Sequence, residues 1–150
     1  MVLLDTQPSL LARRDYIIHA PQQRVWDLLG STIIQCMPVE QMQILNDTTF
    51  LAVLKLKLGL VEVPFRLKVQ AADISPIDSL STLVTASKGI FRSSLKVSFA
   101  LTTAKEDQTG VVCTATEDTG SKWMWLLKRQ QQSFAGKMFD AIRAQLERNC

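Results

Sequence analysis

The sequence predicts an α+β domain: a seven-stranded antiparallel sheet covered on one face by a long C-terminal helix. Three observations predict it. Between residues 49 and 119, runs that alternate apolar and polar residues follow one another, as in Val61-Glu62-Val63-Pro64-Phe65-Arg66-Leu67-Lys68-Val69. Period two turns one face of each strand toward a core and leaves the other in water. Short turns separate the runs, so sequence neighbours pair as an antiparallel meander. Finally, residues 122–148 form a single helical segment, the only one long enough to cover the oily face. Such a cover tends to leave an apolar pocket between sheet and helix, and the oily face carries almost nothing that can do chemistry.

Taken in order, residues 1–13 read as an N-terminal arm, aperiodic and interrupted by Pro8-Ser9, and residues 14–150 as the domain. The first strand covers 14–19, with Tyr16 and Ile18 on one face and Ile17 on the other. Pro21 suits a helix start, and Val25, Trp26, Leu28 and Leu29 give a helical stripe that Gly30 can cap. Ser31 or Thr32 can then cap a second short helix through residues 33–35, which Pro38 stops. Strands follow at 40–45, 50–58, 61–71, 80–87, 91–102 and 110–119. Asn46-Asp47, Gly59, Ser75-Pro76, Lys88-Gly89 and residues 106–108 supply the turns. In the long helix Phe134, Met138, Ile142 and Gln145 make the sheet-facing stripe, with Leu127 and Gln131 behind them.

The chain has 150 residues and a mass of 16.8 kDa, enough for one domain with its own core. A net charge of +3 argues against a dedicated nucleic-acid binder. From Lys122 onward six basic residues face two acidic ones, so the helix carries +4 and the rest of the chain −1. Cys36, Cys113 and Cys150 are odd in number and widely spaced, which indicates neither a disulfide framework nor a metal knuckle. The first residues lack the pattern of a secretory signal, and no run approaches the roughly 18 apolar residues of a membrane span. Cytoplasm is the expected compartment.

Few residues offer catalysis. His19 is the only histidine, which removes a histidine metal cluster, and its place beside Ala20-Pro21 suits a solvated turn. If Val111, Cys113 and Ala115 point inward, Glu117 follows them toward the pocket mouth; if the strand frays at Asp118, Glu117 is wet. No phosphate loop, zinc-protease helix or nucleophile elbow is present. Arg66, Lys68 and Lys96 occupy outer strand positions and read as a solvated face. Trp123-Met124-Trp125-Leu126-Leu127-Lys128-Arg129 is apolar on every side of a helix turn. Two tryptophans followed by two cations suit a membrane interface or a protein partner, unless the rings fold under a loop or onto Leu60. Residues 130–132 are all glutamine, which puts at least one amide near the sheet-facing stripe, where a ligand carbonyl could meet it.

The order of strand, two short helices, six strands and long helix is that of the START-like (SRPBCC) helix-grip superfamily. Within it, Ala20-Pro21-Gln22-Gln23-Arg24-Val25-Trp26-Asp27-Leu28-Leu29 resembles the opening of the carbon monoxide dehydrogenase G-subunit family. Cys36-Met37-Pro38 sits where its members carry a cysteine–proline turn. Leu54-Lys55-Leu56-Lys57-Leu58-Gly59-Leu60-Val61 is similar to their lysine-alternating hairpin, and Thr119-Gly120-Ser121-Lys122 to their helix entry. The resemblance runs over roughly residues 14–146, with Val39 and Ser121 in place of two of the family's glycines.

The resemblance implies a non-catalytic accessory protein for maturation or membrane recruitment of a molybdenum-containing carbon monoxide dehydrogenase. It also implies carriage of an apolar, quinone- or lipid-like molecule, with no cofactor and no metal. The expected lining is Phe65, Leu67, Leu95, Phe99, Phe134 and Met138, with Trp26 and Trp123 at the entrance. The expected partners are that apolar molecule, an oxidoreductase and, peripherally, the inner membrane face. Two rivals stand beside this. One is an adaptor that docks a partner or membrane through Trp123, Trp125, Lys128 and Arg129. The other is a cyclase-like enzyme of the same superfamily, which would need His19 or Glu117 in the pocket.

Overall fold

The computed structural model describes residues 10–119 and 124–150. Nine elements follow in order: β1 (Leu10–Ile18), α1 (Gln22–Cys36), β2 (Glu40–Asn46), β3 (Thr49–Leu58), β4 (Val61–Ser75), β5 (Ser79–Lys88), β6 (Phe91–Lys105), β7 (Gln108–Thr119) and α2 (Met124–Asn149). All seven strands form one antiparallel sheet in the order β1-β7-β6-β5-β4-β3-β2. Strands β2 to β7 are the expected meander. β1 joins at the far edge against β7, so α1 has to carry the chain across the sheet from one edge strand to the other.

Two expectations are corrected. First, the two short helices are one continuous helix of 15 residues. Its buried stripe, Val25, Leu29, Thr32 and Ile33, runs through Gly30 without a change of period. A glycine inside a helix costs only about 1 kcal/mol, and burial of Leu29 and Ile33 outweighs it. Pro38, as expected, lies just beyond the helix end. Second, the place given to Gln145 on the α2 stripe belongs to Leu146. Ala135, Met138, Phe139, Ile142 and Leu146 are all buried, whereas Gln145 is half-buried and reaches Gln35 Oε1 at 3.4 Å. The strand edges also extend further than expected: β1 starts at Leu10 with Leu11 already buried, and β4 and β6 each run 15 residues.

The core lies where α1 and α2 meet the inner faces of β1, β7 and β6. Phe99 of β6 meets Phe139 of α2 edge-on, ring centres 5.8 Å apart. Tyr16 of β1 and Cys113 of β7, two residues off register with each other, touch at 3.5 Å through hydroxyl and thiol, and Arg143 of α2 caps the tyrosine ring at 5.4 Å. Burial pushes the Cys113 thiol up to about 11 and raises the Tyr16 phenol well above its usual range. Both stay neutral and serve the core. Buried Thr109 donates to Ala20 O at 2.7 Å, and Arg14 pairs with Asp140 at 3.0 Å. The Arg143–Tyr16 and Arg14–Asp140 contacts hold α2 beside β1, and its backbone runs along β1 and α1 rather than β3 to β5. The long helix therefore covers one side of the sheet's inner face, not all of it.

Candidate functional site: a divided trough

Because α2 lies to one side, the inner face of β2 to β5 forms a trough with two chambers. Turns β3–β4 and β5–β6 and the start of α2 lie at one end, here the hairpin end. Turns β2–β3, β4–β5 and β6–β7 lie at the other, the turn end.

The chamber at the hairpin end is small. Leu54, Leu56, Phe65, Leu67, Val84, Ala86, Ser93, Leu95, Gln130, Gln131 and Phe134 surround a cavity of only about 30 Å³. That is room for a water or two. Its polar corner is built by α2 against β6: buried Gln131 donates to Ser93 Oγ at 3.2 Å, and Gln130 Oε1 is buried beside it. The glutamine run thus does bring amides to an apolar wall.

The chamber at the turn end is open and holds about 630 Å³. One wall is α1, with Trp26, Leu29, Gly30, Ile33 and Ile34; the other is Phe50, Val69, Ala71, Leu80 and Thr82 of the sheet, and Ile44 and Ile74 flank the mouth. Val69 and Thr82 are the next inward positions after Leu67 and Val84, so the two chambers share the same strands. Polar groups sit at the rim. Asn46 Oδ1 accepts from the Thr48 amide (2.9 Å) and hydroxyl (3.0 Å), and Asp27 accepts from Gln23 Nε2 at 2.8 Å. Asp47 stands exposed beside them. Thr82 is buried and donates to Val97 O at 3.2 Å.

The expected lining is therefore divided. Phe65, Leu67, Leu95 and Phe134 meet in the small chamber, and half-buried Trp26 lines the large one. Phe99 and Met138 are 0% and 1% exposed and line neither, because they pack into the closed side of the sheet under α2. Leu29, Ile33, Phe50, Val69, Leu80 and Thr82 line the large chamber as well, beyond the lining expected from the sequence. Their signal was present in the α1 stripe and in the inward positions of β3 to β5, but only the sideways placement of α2 leaves them uncovered. Trp123 lies outside the described residues, as does the side chain of Trp125; Lys128 and Arg129 are exposed. His19 is exposed, its Nδ1 3.3 Å from Gln108 Nε2. Glu117 is half-buried on β7, which continues to Thr119 without fraying, and lines neither chamber. Among the described residues no three of His, Cys, Asp and Glu converge as metal ligands, and no helix is long and apolar enough to cross a membrane.

The two ends also differ in charge. The turn end exposes Asp47, Asp73, Asp78, Glu106 and Asp107 against Lys105, whereas the hairpin end exposes Lys57, Lys88, Arg92, Lys128 and Arg129 near Glu62.

The family described as the G subunit of carbon monoxide dehydrogenase (CoxG) matches residues 16–149. The chain belongs to this family. Among solved structures, it resembles a conserved protein from Geobacillus kaustophilus with a TM-score of 0.70 at 16% identity, over 91% of this chain and 94% of that one. It also resembles Ara h 8.0201 (TM-score 0.62, 10% identity, 90% and 95% covered). A third likeness is to the Zhui aromatase/cyclase from Streptomyces sp. R1128 (TM-score 0.60, 13% identity, 91% and 93% covered). At these identities the likeness is one of fold, the START-like helix-grip. Among curated proteins none matches the sequence.

Proposed function

We propose that this CoxG-family protein is a non-catalytic accessory carrier that holds an apolar, quinone- or lipid-like molecule in the turn-end chamber. It would serve a molybdenum-containing carbon monoxide dehydrogenase-type enzyme from the cytoplasmic side. The observation that carries the reading is the open 630 Å³ groove, apolar along its walls and polar at its rim. Its volume falls within the roughly 300–1,000 Å³ usual for small-molecule sites, and affinity would come from burial at about 25 cal/mol per Å² of apolar area, less ordering costs. The rim refines the cargo. Asp27 and Asp47 would repel an anionic head group, so a neutral quinone ring fits better than a fatty-acid carboxylate. Family membership supports the link to the dehydrogenase.

A cyclase-like reaction is less well supported, although one structural neighbour bears that name. General acid–base catalysis needs a titratable group within hydrogen-bond reach of substrate. His19 and Glu117 are outside both chambers, while Asp27 and Asp47 stand on an exposed rim. The adaptor reading keeps one specific observation, the exposure of Lys128 and Arg129. Trp123→Ala with Trp125→Ala would abolish partner binding and spare ligand uptake if it holds.

The test is native mass spectrometry of the purified protein, followed by organic extraction of what co-purifies. A stoichiometric quinone or neutral lipid released on denaturation is the expected result. A bare mass that persists after incubation with quinones and lipids would overturn the carrier reading.

A further inference from the structure

The hairpin end carries an apolar knob that the fold does not bury. β3–β4 and β5–β6 are joined by two-residue turns, Gly59-Leu60 and Gly89-Ile90, each led by a glycine at positive φ (71° and 58°). That glycine satisfies the turn, and the position after it usually takes Asn, Asp or Ser. Here both are large aliphatics. Leu60 is fully exposed, Ile90 is 82% exposed and Val61, next to Leu60, 62%. The first hairpin also projects. β2 pairs with β3 only as far as Val53, and β5 pairs with β4 only from Arg66 onward. The pairs from Leu54↔Phe65 to Leu58↔Val61 are therefore flanked by no other strand among the described residues. Exposed Lys57, Lys88 and Arg92 collar the two tips; Glu62, the acidic residue of this region, lies 3.9 Å from Lys55.

The turn end is its complement in shape and in charge. There the large groove opens, apolar inside, with exposed Ile44 and Ile74 flanking its mouth and Asp27 and Asp47 on its rim. Asp73 and Asp78 stand exposed at the same end. Asp27 and Asp78 accept hydrogen bonds from the neutral amides of Gln23 and Gln22, which leave their charges in place. One end is thus an aliphatic tip in a basic collar, and the other an apolar hole in an acidic rim. They cannot meet within one molecule, because β4, 15 residues and about 50 Å long, runs between them.

We propose that the protein associates with itself end to end, the β3–β4 tip of one copy entering the turn-end groove of the next. Leu60 and Val61 bury themselves in the apolar interior, and the basic collar meets the acidic rim. An aliphatic anchor seated in a pocket inside a ring of complementary charge is how small interfaces hold and find their register. Both halves of the contact stand on this one chain, which favours a second copy over an unrelated partner. The contact is heterologous, so each added copy leaves one free tip and one free groove, and the assembly grows as an open chain or closes as a ring. A cargo and a neighbour's tip compete for the same groove, which makes assembly a property of the empty form. The inference does not rest on the carrier reading, because the groove can take a tip whether or not it takes a cargo.

Sedimentation velocity of the full chain over roughly 10 µM to 1 mM tests it. The mean mass should rise with concentration and fall as salt is added. Leu60→Asp, which spoils the tip, and Gly30→Phe, which fills the groove, should each weaken association by about tenfold or more. Mixed in equal amounts, the two variants should form a heterodimer of wild-type affinity that grows no further, since one chain brings the sound groove and the other the sound tip. Both positions are exposed, and unchanged melting curves would confirm folding; Leu60→Ser serves if the aspartate disturbs the turn. A mass of one chain at every concentration would overturn the proposal, and stoichiometric cargo uptake by that monomer would leave the carrier reading standing. A mixture that stays monomeric while the wild type associates would also overturn it. So would full association of Leu60→Asp that is lost in Trp123→Ala with Trp125→Ala.

Discussion

The two ends of the sheet are cut from the same strands and the same alternation of residues, and they finish in opposite ways. At the hairpin end α2 comes down on β6 through Gln131 and Ser93, and the space left is about 30 Å³. At the turn end the same strands face α1 across an open groove of about 630 Å³. The first end shows cations and bare aliphatic tips, and the second shows carboxylates around a greasy interior. Inward-facing apolar residues are thus a poor guide to a binding site by themselves. What decides is whether a helix lies over them, and the helix position is set by contacts on the far side of the sheet, at β1.

The largest expected effect tests the wall between site and core. Phe99→Ala should cost about 3–5 kcal/mol of stability in urea unfolding. Ligand uptake per folded molecule should be retained, since Phe99 lines neither chamber. A selective loss of uptake would show that the groove reaches further under α2. Next comes blockade. Gly30 lines the large groove, and a Cβ placed there meets nothing within 4 Å. Gly30→Phe should therefore fill the groove and weaken uptake by about tenfold or more, as expected for loss of most apolar burial, while removing the helix penalty of glycine. Ser93→Ala, at the other end, should cost about 1 kcal/mol through the lost Gln131 bond and leave uptake unchanged. Equal effects of the two would erase the distinction between the chambers.

The smallest effect concerns the acidic end alone. Asp78 N bonds to Ser75 O at 2.9 Å, closing a turn with Pro76 and then Ile77 at φ 75°. This is a type II turn with a β-branched residue where glycine is usual. Gln22 holds it by donating to Ile77 O at 2.8 Å. Ile77→Gly should raise stability by about 1 kcal/mol, read as a higher melting temperature. No change would mean that Gln22 and neighbouring bonds already absorb the strain.

Much of this fold was legible. Period-two alternation located β2 to β7 and the order of the meander, because a strand buried on one face must alternate. The family resemblance rested on turns and packing patterns that the full match now includes. Gly30 was misleading because a cap and a tolerated interior glycine look alike locally, and only the continuing stripe to Ile33 separates them. The candidate site is half legible. Phe65, Leu67, Leu95 and Phe134 read as inward residues, and they are, but around a cavity of only about 30 Å³ beside α2. Which inward residues stay uncovered depends on contacts such as Arg14 with Asp140 and Arg143 with Tyr16, each joining positions far apart in the chain. No local pattern encodes them.

The central claim, that the groove beside α1 receives an apolar molecule, can be read at Trp26. In a chain carrying Trp123→Phe and Trp125→Phe, Trp26 is the sole remaining tryptophan and lines that groove. Titration with a short-chain ubiquinone analogue should quench its fluorescence saturably, and Gly30→Phe should abolish the saturable part. Quenching that rises linearly, as for free tryptophan in solution, or that Gly30→Phe leaves intact, would contradict the account.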